Sequence, residues 1–153
     1  MERAEAAGVR GSSWSYASAA ADYDGDGDQD LYVANDGYPN LLYRNDGAWH
    51  LVEVGAFAGA AYSQDGRAQS GMGVAVGDYD NDGDLDLYVT HFSDDVNTLY
   101  QNQTGLNFVD FTAGGGLGGA VRPFLGWGTG FFDADNDGWL DLFVVNGHIY
   151  PQV

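Results

Sequence analysis

Hydrophobic and polar positions alternate along this chain in short runs, and the runs recur in one order. A small-and-apolar alternation comes first: Ser15-Tyr-Ala-Ser-Ala-Ala-Ala21, Gly71-Met-Gly-Val-Ala-Val-Gly77 and Gly126-Trp-Gly-Thr-Gly-Phe-Phe132. After a polar interval comes a tight run of β-formers: Leu31-Tyr-Val-Ala34, Leu87-Tyr-Val-Thr90 and Leu142-Phe-Val-Val145. Two of the units continue through Asn40-Leu-Leu-Tyr43-Arg-Asn45 and Asn97-Thr-Leu-Tyr100-Gln-Asn102. A glycine turn follows in each, then Leu51-Val-Glu-Val54 or Phe108-Val-Asp-Phe111. Strand side chains point alternately to opposite faces, so period-two runs bounded by turn residues predict strands. No segment carries a helical period; the Ala-rich opening, Glu2 to Val9, could form one turn. It reads instead as a connector like the Gly/Ala-rich stretches Gly55 to Ser70 and Ala113 to Phe124, here following a preceding unit.

Each complete unit thus has four strands, and the third carries its first two. A lone four-stranded sheet leaves both faces in water, and stacking such sheets side by side buries them. Units of this size with four strands predict an all-β fold of β-propeller blades, each of four antiparallel strands. Residues 1–153 form one repeat domain: blade 1 over 11–70, blade 2 over 71–125 and the first half of blade 3 over 126–153. The small residues before each polar interval suit the crowded innermost strand. About two and a half blades leave the ring incomplete unless chains associate.

The polar intervals are themselves a repeat, D-x-D-x-D-G-x-x-D, whose copies begin at Asp22, Asp78 and Asp133. Four carboxylates within nine residues repel one another. A hard cation compensates them, and oxygen-only ligands select Ca²⁺. Alternate positions of a tight turn face one centre, so Asp22, Asp24 and Asp26 converge, Gly27 permits the bend and Asp30 closes the site. The second site is Asp78, Asp80, Asp82 and Asp86, and the third is Asp133, Asp135, Asp137 and Asp141. Position seven is Asp28, Asp84 or Trp139; a tryptophan side chain cannot ligate, so this position offers its backbone carbonyl. An EF-hand needs a bidentate Glu at position 12, where this chain has Val33, Val89 and Val144 in strand sequence. Mg²⁺ keeps its waters and rarely fills an all-protein cage, so three Ca²⁺ sites are expected.

With 23 acidic and 5 basic residues the net charge is −18, which repels nucleic acid and anionic membranes. There is no Cys, hence no disulfide chemistry, and no apolar run long enough to span a bilayer.

Gly77-Asp-Tyr-Asp-Asn-Asp-Gly-Asp-Leu-Asp-Leu-Tyr-Val89 resembles the central motif of the FG-GAP/VCBS repeats, the calcium-loop propeller family of integrin α-subunit heads and many secreted bacterial proteins. The stretch from Gly126 through Asn146-Gly-His-Ile-Tyr-Pro151 is similar to the subgroup with a C-terminal ASPIC/UnbV domain, which includes cartilage acidic protein. The resemblance covers nearly the whole chain. It implies about seven blades in a complete ring and an extracellular, cell-surface or periplasmic location. It also implies a non-enzymatic role with a protein or glycan ligand. Set against that family, this chain has the look of a fragment, with fewer repeats and without the C-terminal domain.

The three histidines, His50, His91 and His148, have neither metal-ligand spacing nor a triad partner. His91 stands where other units have Asn35 and Asn146, so it reads as a strand-end hydrogen bonder. Paired carboxylates also suggest a carbohydrate-active enzyme, but acids committed to cations are not free for acid–base work. Trp14, Trp49, Trp127 and Trp139 are expected mainly to pack between blades, with Trp139 the best candidate for exposure. Asn102-Gln-Thr104 fits a glycosylation triplet, relevant only in a eukaryotic secretory host. Open blade faces predict homo-oligomers, in which two or three chains could close a ring.

Overall fold

The computed structural model describes residues 4, 6–9, 13–119 and 121–147. Within them lie β1 (Ser15–Ala21), β2 (Asp30–Asn35), β3 (Leu41–Asn45) and β4 (Leu51–Glu53), then the single helical turn α1 (Gly55–Ala58). A second set follows: β5 (Gly71–Gly77), β6 (Asp86–His91), β7 (Thr98–Asn102) and β8 (Phe108–Asp110). Last come β9 (Gly126–Phe132) and β10 (Asp141–Asn146). The first two sets are four-stranded antiparallel meanders in chain order, and β9 pairs with β10. The fold is all-β, of stacked propeller-type sheets, and the described sheets do not close a ring.

Register repeats from unit to unit. Ala21 faces Asp30, Gly77 faces Asp86 and Phe132 faces Asp141 at the base of each acidic loop. A bulge lies at the far end of each first pair, at Ser15/Ala17, Gly71/Gly73 and Val144/Asn146. The strands β1, β5 and β9 lie side by side as the innermost row. Small residues are needed there: a Cβ on Gly73 would run into the Trp127 carbonyl, and one on Gly77 would meet Leu140 and Phe131.

Two apolar layers separate the sheets. Tyr32, Ala34 and Leu42 of the first sheet pack with Leu87, Val89, Tyr100 and Phe108 of the second. On its other side the second sheet sends Ala75, Tyr88 and Leu99 against Phe131, Leu142 and Val144. Every residue of β6 is buried as a result, because both of its faces are covered.

The connector 55–70 differs from its sequence reading as loop throughout, since it opens with α1. Ala58 N–H donates to Val54 at 2.7 Å, Ala60 N–H to Gly55 at 3.0 Å, and Gly59 at φ 82° ends the turn. Four residues are too few for periodicity to show. The described part of the opening segment repeats this turn. Val9 N–H donates to Ala4, and Gly8 at φ 86° lies against the Leu51 carbonyl as Gly59 lies against that of Phe108. His148 and the Ile-Tyr-Pro run after it lie outside the described residues.

Candidate metal centres

Each acidic loop joins the first and second strands of its unit, and its aspartates divide into different jobs. The first carboxylate braces the turn from inside. Asp22 accepts from Gly25, Asp26 and Gly27 N–H at 2.8, 3.1 and 2.9 Å. Asp78 accepts from Asp82 and Gly83 at 3.0 Å each, and Asp133 from Asp137 and Gly138 at 3.1 and 2.9 Å. The sixth-position glycines Gly27, Gly83 and Gly138 have φ of 96°, 98° and 91°. A side chain there would be strained, which is why the motif requires glycine.

The ninth-position aspartate ties the loop to the sheet. Asp30 takes Tyr23 N–H at 2.9 Å and Asn45 N–H, from the end of β3, at 2.8 Å. Asp86 does the same with Tyr79 at 3.1 Å and Asn102 at 2.8 Å. Asp141 takes Ala134 N–H at 2.9 Å.

These bonds gather three carboxylates per loop. Oxygens of Asp22, Asp24 and Asp30 lie within 4.8 Å of one another, as do those of Asp78, Asp80 and Asp86 and those of Asp133, Asp135 and Asp141. The fifth-position residues Asp26, Asp82 and Asp137 stand outside these groups. Each accepts from the N–H of position seven: Asp28 at 2.8 Å, Asp84 at 2.9 Å and Trp139 at 2.9 Å. Position seven brings no side chain into the groups, and the Trp139 indole is turned to solvent.

Burial sets the first two groups apart from the more exposed third. Desolvation pushes the Asp86 carboxyl up to about 6, with the Asp80 and Asp82 charges adding to it and two N–H donors opposing. Asp30 and Asp24 are raised for the same leading reason. Asp80 accepts a hydrogen bond from Gln101 through Oδ2, while its buried Oδ1 has no partner among the described residues. A buried, unpartnered oxygen on one of three converging carboxylates fits a bound cation. The donor set is oxygen only, which suits a hard divalent ion.

Sequence reasoning missed several residues around the loops. Gln101 and Arg44 occupy equivalent positions, yet Gln101 reaches Asp80 and Arg44 pairs with Asp46 at 2.6 Å. Asn102 Nδ2 crosses between units to the Tyr23 carbonyl at 3.0 Å, and Asn81 Nδ2 crosses to that of Gly138 at 3.3 Å. Repetition of Asn at equivalent positions was the available signal. His91 does take a strand-end place: its N–H donates to Asn97, and its Nε2 lies 3.2 Å from the Thr98 hydroxyl. The tryptophans depart from expectation. Trp49 is 80% exposed and Trp14 73%, both beyond Trp139 at 55%.

The model of the FG-GAP-like repeat family matches residues 22–89 and again 78–144, each match running from one acidic loop into the next unit. No curated protein matches the chain. The two matches span most of the sequence, and the chain belongs to the FG-GAP-like repeat family.

Proposed function

We propose that this chain is a calcium-binding, non-enzymatic propeller module whose ions hold the loops and whose exposed surface serves recognition of a protein or glycan partner. The observation that carries the reading is the trio of carboxylates brought within 4.8 Å in all three loops, with Asp80 Oδ1 in the second buried and unpartnered among the described residues. Asp22, Asp24 and Asp30 would hold the first ion, Asp78, Asp80 and Asp86 the second, and Asp133, Asp135 and Asp141 the third. The backbone carbonyls of Asp28, Asp84 and Trp139 would complete them, and Asp26, Asp82 and Asp137 would each add the oxygen left free by their hydrogen bond. A bound ion supplies compensating charge. It thereby converts mutual repulsion at the turn into folding energy.

Family membership and the similarity of the closing stretch to the ASPIC/UnbV-associated subgroup support export. Extracellular modules commonly bind Ca²⁺ at about 10⁻⁴–10⁻³ M. No helix among the described residues is long and apolar enough to cross a membrane. An enzymatic reading finds little support. The polar cavity of about 340 Å³ beside Gln69, Thr98 and Thr112 is lined by Asp65, Asp95 and Asp110. All three carboxylates already accept hydrogen bonds from neighbours. Exposed aromatics such as Trp14, Tyr16, Tyr38 and Trp49 support a contact surface instead.

Thermal melting with calcium and with excess EGTA tests the proposal. The melting temperature should drop by several degrees in chelator; a melt indifferent to EGTA would contradict a structural role for the ion.

A further inference from the structure

The two end faces of the stack carry matching halves of the interface found between its own units. In the middle sheet, Leu87 and Val89 face the first sheet, and Tyr88 faces β9 and β10. By register, Leu31 and Val33 hold the places of Leu87 and Val89, and they are only half-buried. Phe143 and Val145 hold the places of Tyr88 and Thr90, and they are 56% and 50% exposed where Tyr88 and Thr90 are fully buried.

The polar contacts are divided in the same way. Asn102 Nδ2 donates both to Leu85 of its own unit and to the Tyr23 carbonyl of the preceding one, whereas Asn45, its counterpart, makes among the described residues the in-unit bond alone, to Gln29. Ala134 is the counterpart of Tyr23, held by Asp141 as Tyr23 is held by Asp30. Asn81 donates across to the Gly138 carbonyl; its counterpart Asn136 sits in the same left-handed conformation, φ 62° against 58°. The carbonyl matching that of Gly138 belongs to Gly27. Gly27 and Asn45 both line a cavity of about 330 Å³ with Asp28, Gln29, Ala48 and Trp49. In this hairpin Ala48 and Trp49 have φ of 51° and 63°, and Trp49 stands outward. In the matching hairpin Leu106 lies against the core between the first two units.

We propose that this cavity and the Leu31/Val33 face receive the third acidic loop and the Phe143/Val145 face of a second copy of the chain, head to tail. Asn45 donates to the second copy's Ala134 carbonyl, and the second copy's Asn136 donates to the Gly27 carbonyl. The turn closed by the Val9 N–H on the Ala4 carbonyl sets Gly8 against Leu51, as the connector preceding the second unit sets Gly59 against Phe108. A contact between two different faces either closes a ring or continues as an open chain. Opposed acidic loops repel, so association strengthens with ionic strength.

Sedimentation velocity over a concentration series tests this, in calcium and in EGTA, with Phe143→Asp and Leu31→Asp as the variants and circular dichroism as the check of folding. The unaltered chain should gain mass with concentration, to a closed ring or a longer open chain, and each folded variant alone should stay monomeric. Mixed in equal amounts, the two variants should form a dimer and nothing larger, because one intact face of each remains. A monomer at every concentration would overturn the proposal. So would folded variants that associate like the unaltered chain, or a mixture that stays monomeric. Association that persists in EGTA sustains the interface whatever the fate of the calcium reading, which the melting experiment decides separately.

Discussion

At the scale of single residues, Asp86 and Asp84 stand two positions apart in one loop and differ entirely in what they touch. Asp86 satisfies two backbone N–H donors and is buried, whereas the carboxylate of Asp84 has no hydrogen-bond partner among the described residues. In metal-free melts, Asp86→Ala should lose about 1–3 kcal/mol, because it strands two donors. Asp84→Ala should stay within about 0.5 kcal/mol. Equal losses would mean that the motif's acids act only through their summed charge. His91 gives a pH signature. Burial pushes its imidazole down to about 4 from an ordinary 6.5, opposed by the nearby Asp95 charge and by a backbone hydrogen bond with Ser70. As pH falls from 6.5 toward 4, the unfolded chain gains a proton that the folded chain refuses, so stability falls across that window. The loss attributable to His91 is on the order of 3 kcal/mol. Asp86 acts oppositely: without metal, its raised value favours the folded state below about 6. His91→Asn, matching Asn35 and Asn146, keeps Asp86 and should flatten the acid-side loss. Denaturant titrations of both proteins at each pH measure the difference, and identical pH profiles would refute the assignment. The glycine and aspartate positions were legible from spacing alone. The division of labour among the aspartates was not, because it depends on where β3 and β7 end beside the loop.

Among the elements, strand positions followed from alternation, since each run has one face to bury and a one-residue slip would expose it. The crowding of the innermost row was legible in its small residues, but not which neighbour meets each glycine, nor the turn that sets Gly59 against β8. Both rest on glycines whose role appears only when the packed neighbour is known. Gly59→Ala would place a Cβ on the Phe108 carbonyl at φ 82°, and Gly73→Ala would place one on the Trp127 carbonyl. Each should cost more than about 1 kcal/mol. Gly25→Ala meets no neighbour within 4 Å, so only its left-handed backbone (φ 75°) penalises it. Urea midpoints of the three variants rank these effects, and a midpoint for Gly73→Ala above that of Gly25→Ala would count against tight inner-row packing.

For the whole molecule, charge is the dominant feature. A chain at −18 repels itself when compact, and its strongest local repulsion lies in the three loops. Raising ionic strength from about 0.01 to 0.15 M should therefore stabilise the metal-free protein more than the calcium-loaded one, since screening replaces part of what the ions do. Equal salt responses would place the repulsion elsewhere. Repeats touch only their neighbours, so the pattern specifies each pairwise stack but not ring closure. This is why blade architecture could be read from the chain and its partners could not. Whether the three loops are ion sites is decided by a calorimetric titration of Ca²⁺ into metal-free protein. Binding should saturate at three ions per chain, and at two in the double variant Asp80→Asn with Asp86→Asn. Absence of saturable binding, or an unchanged stoichiometry in that double variant, would contradict the calcium reading.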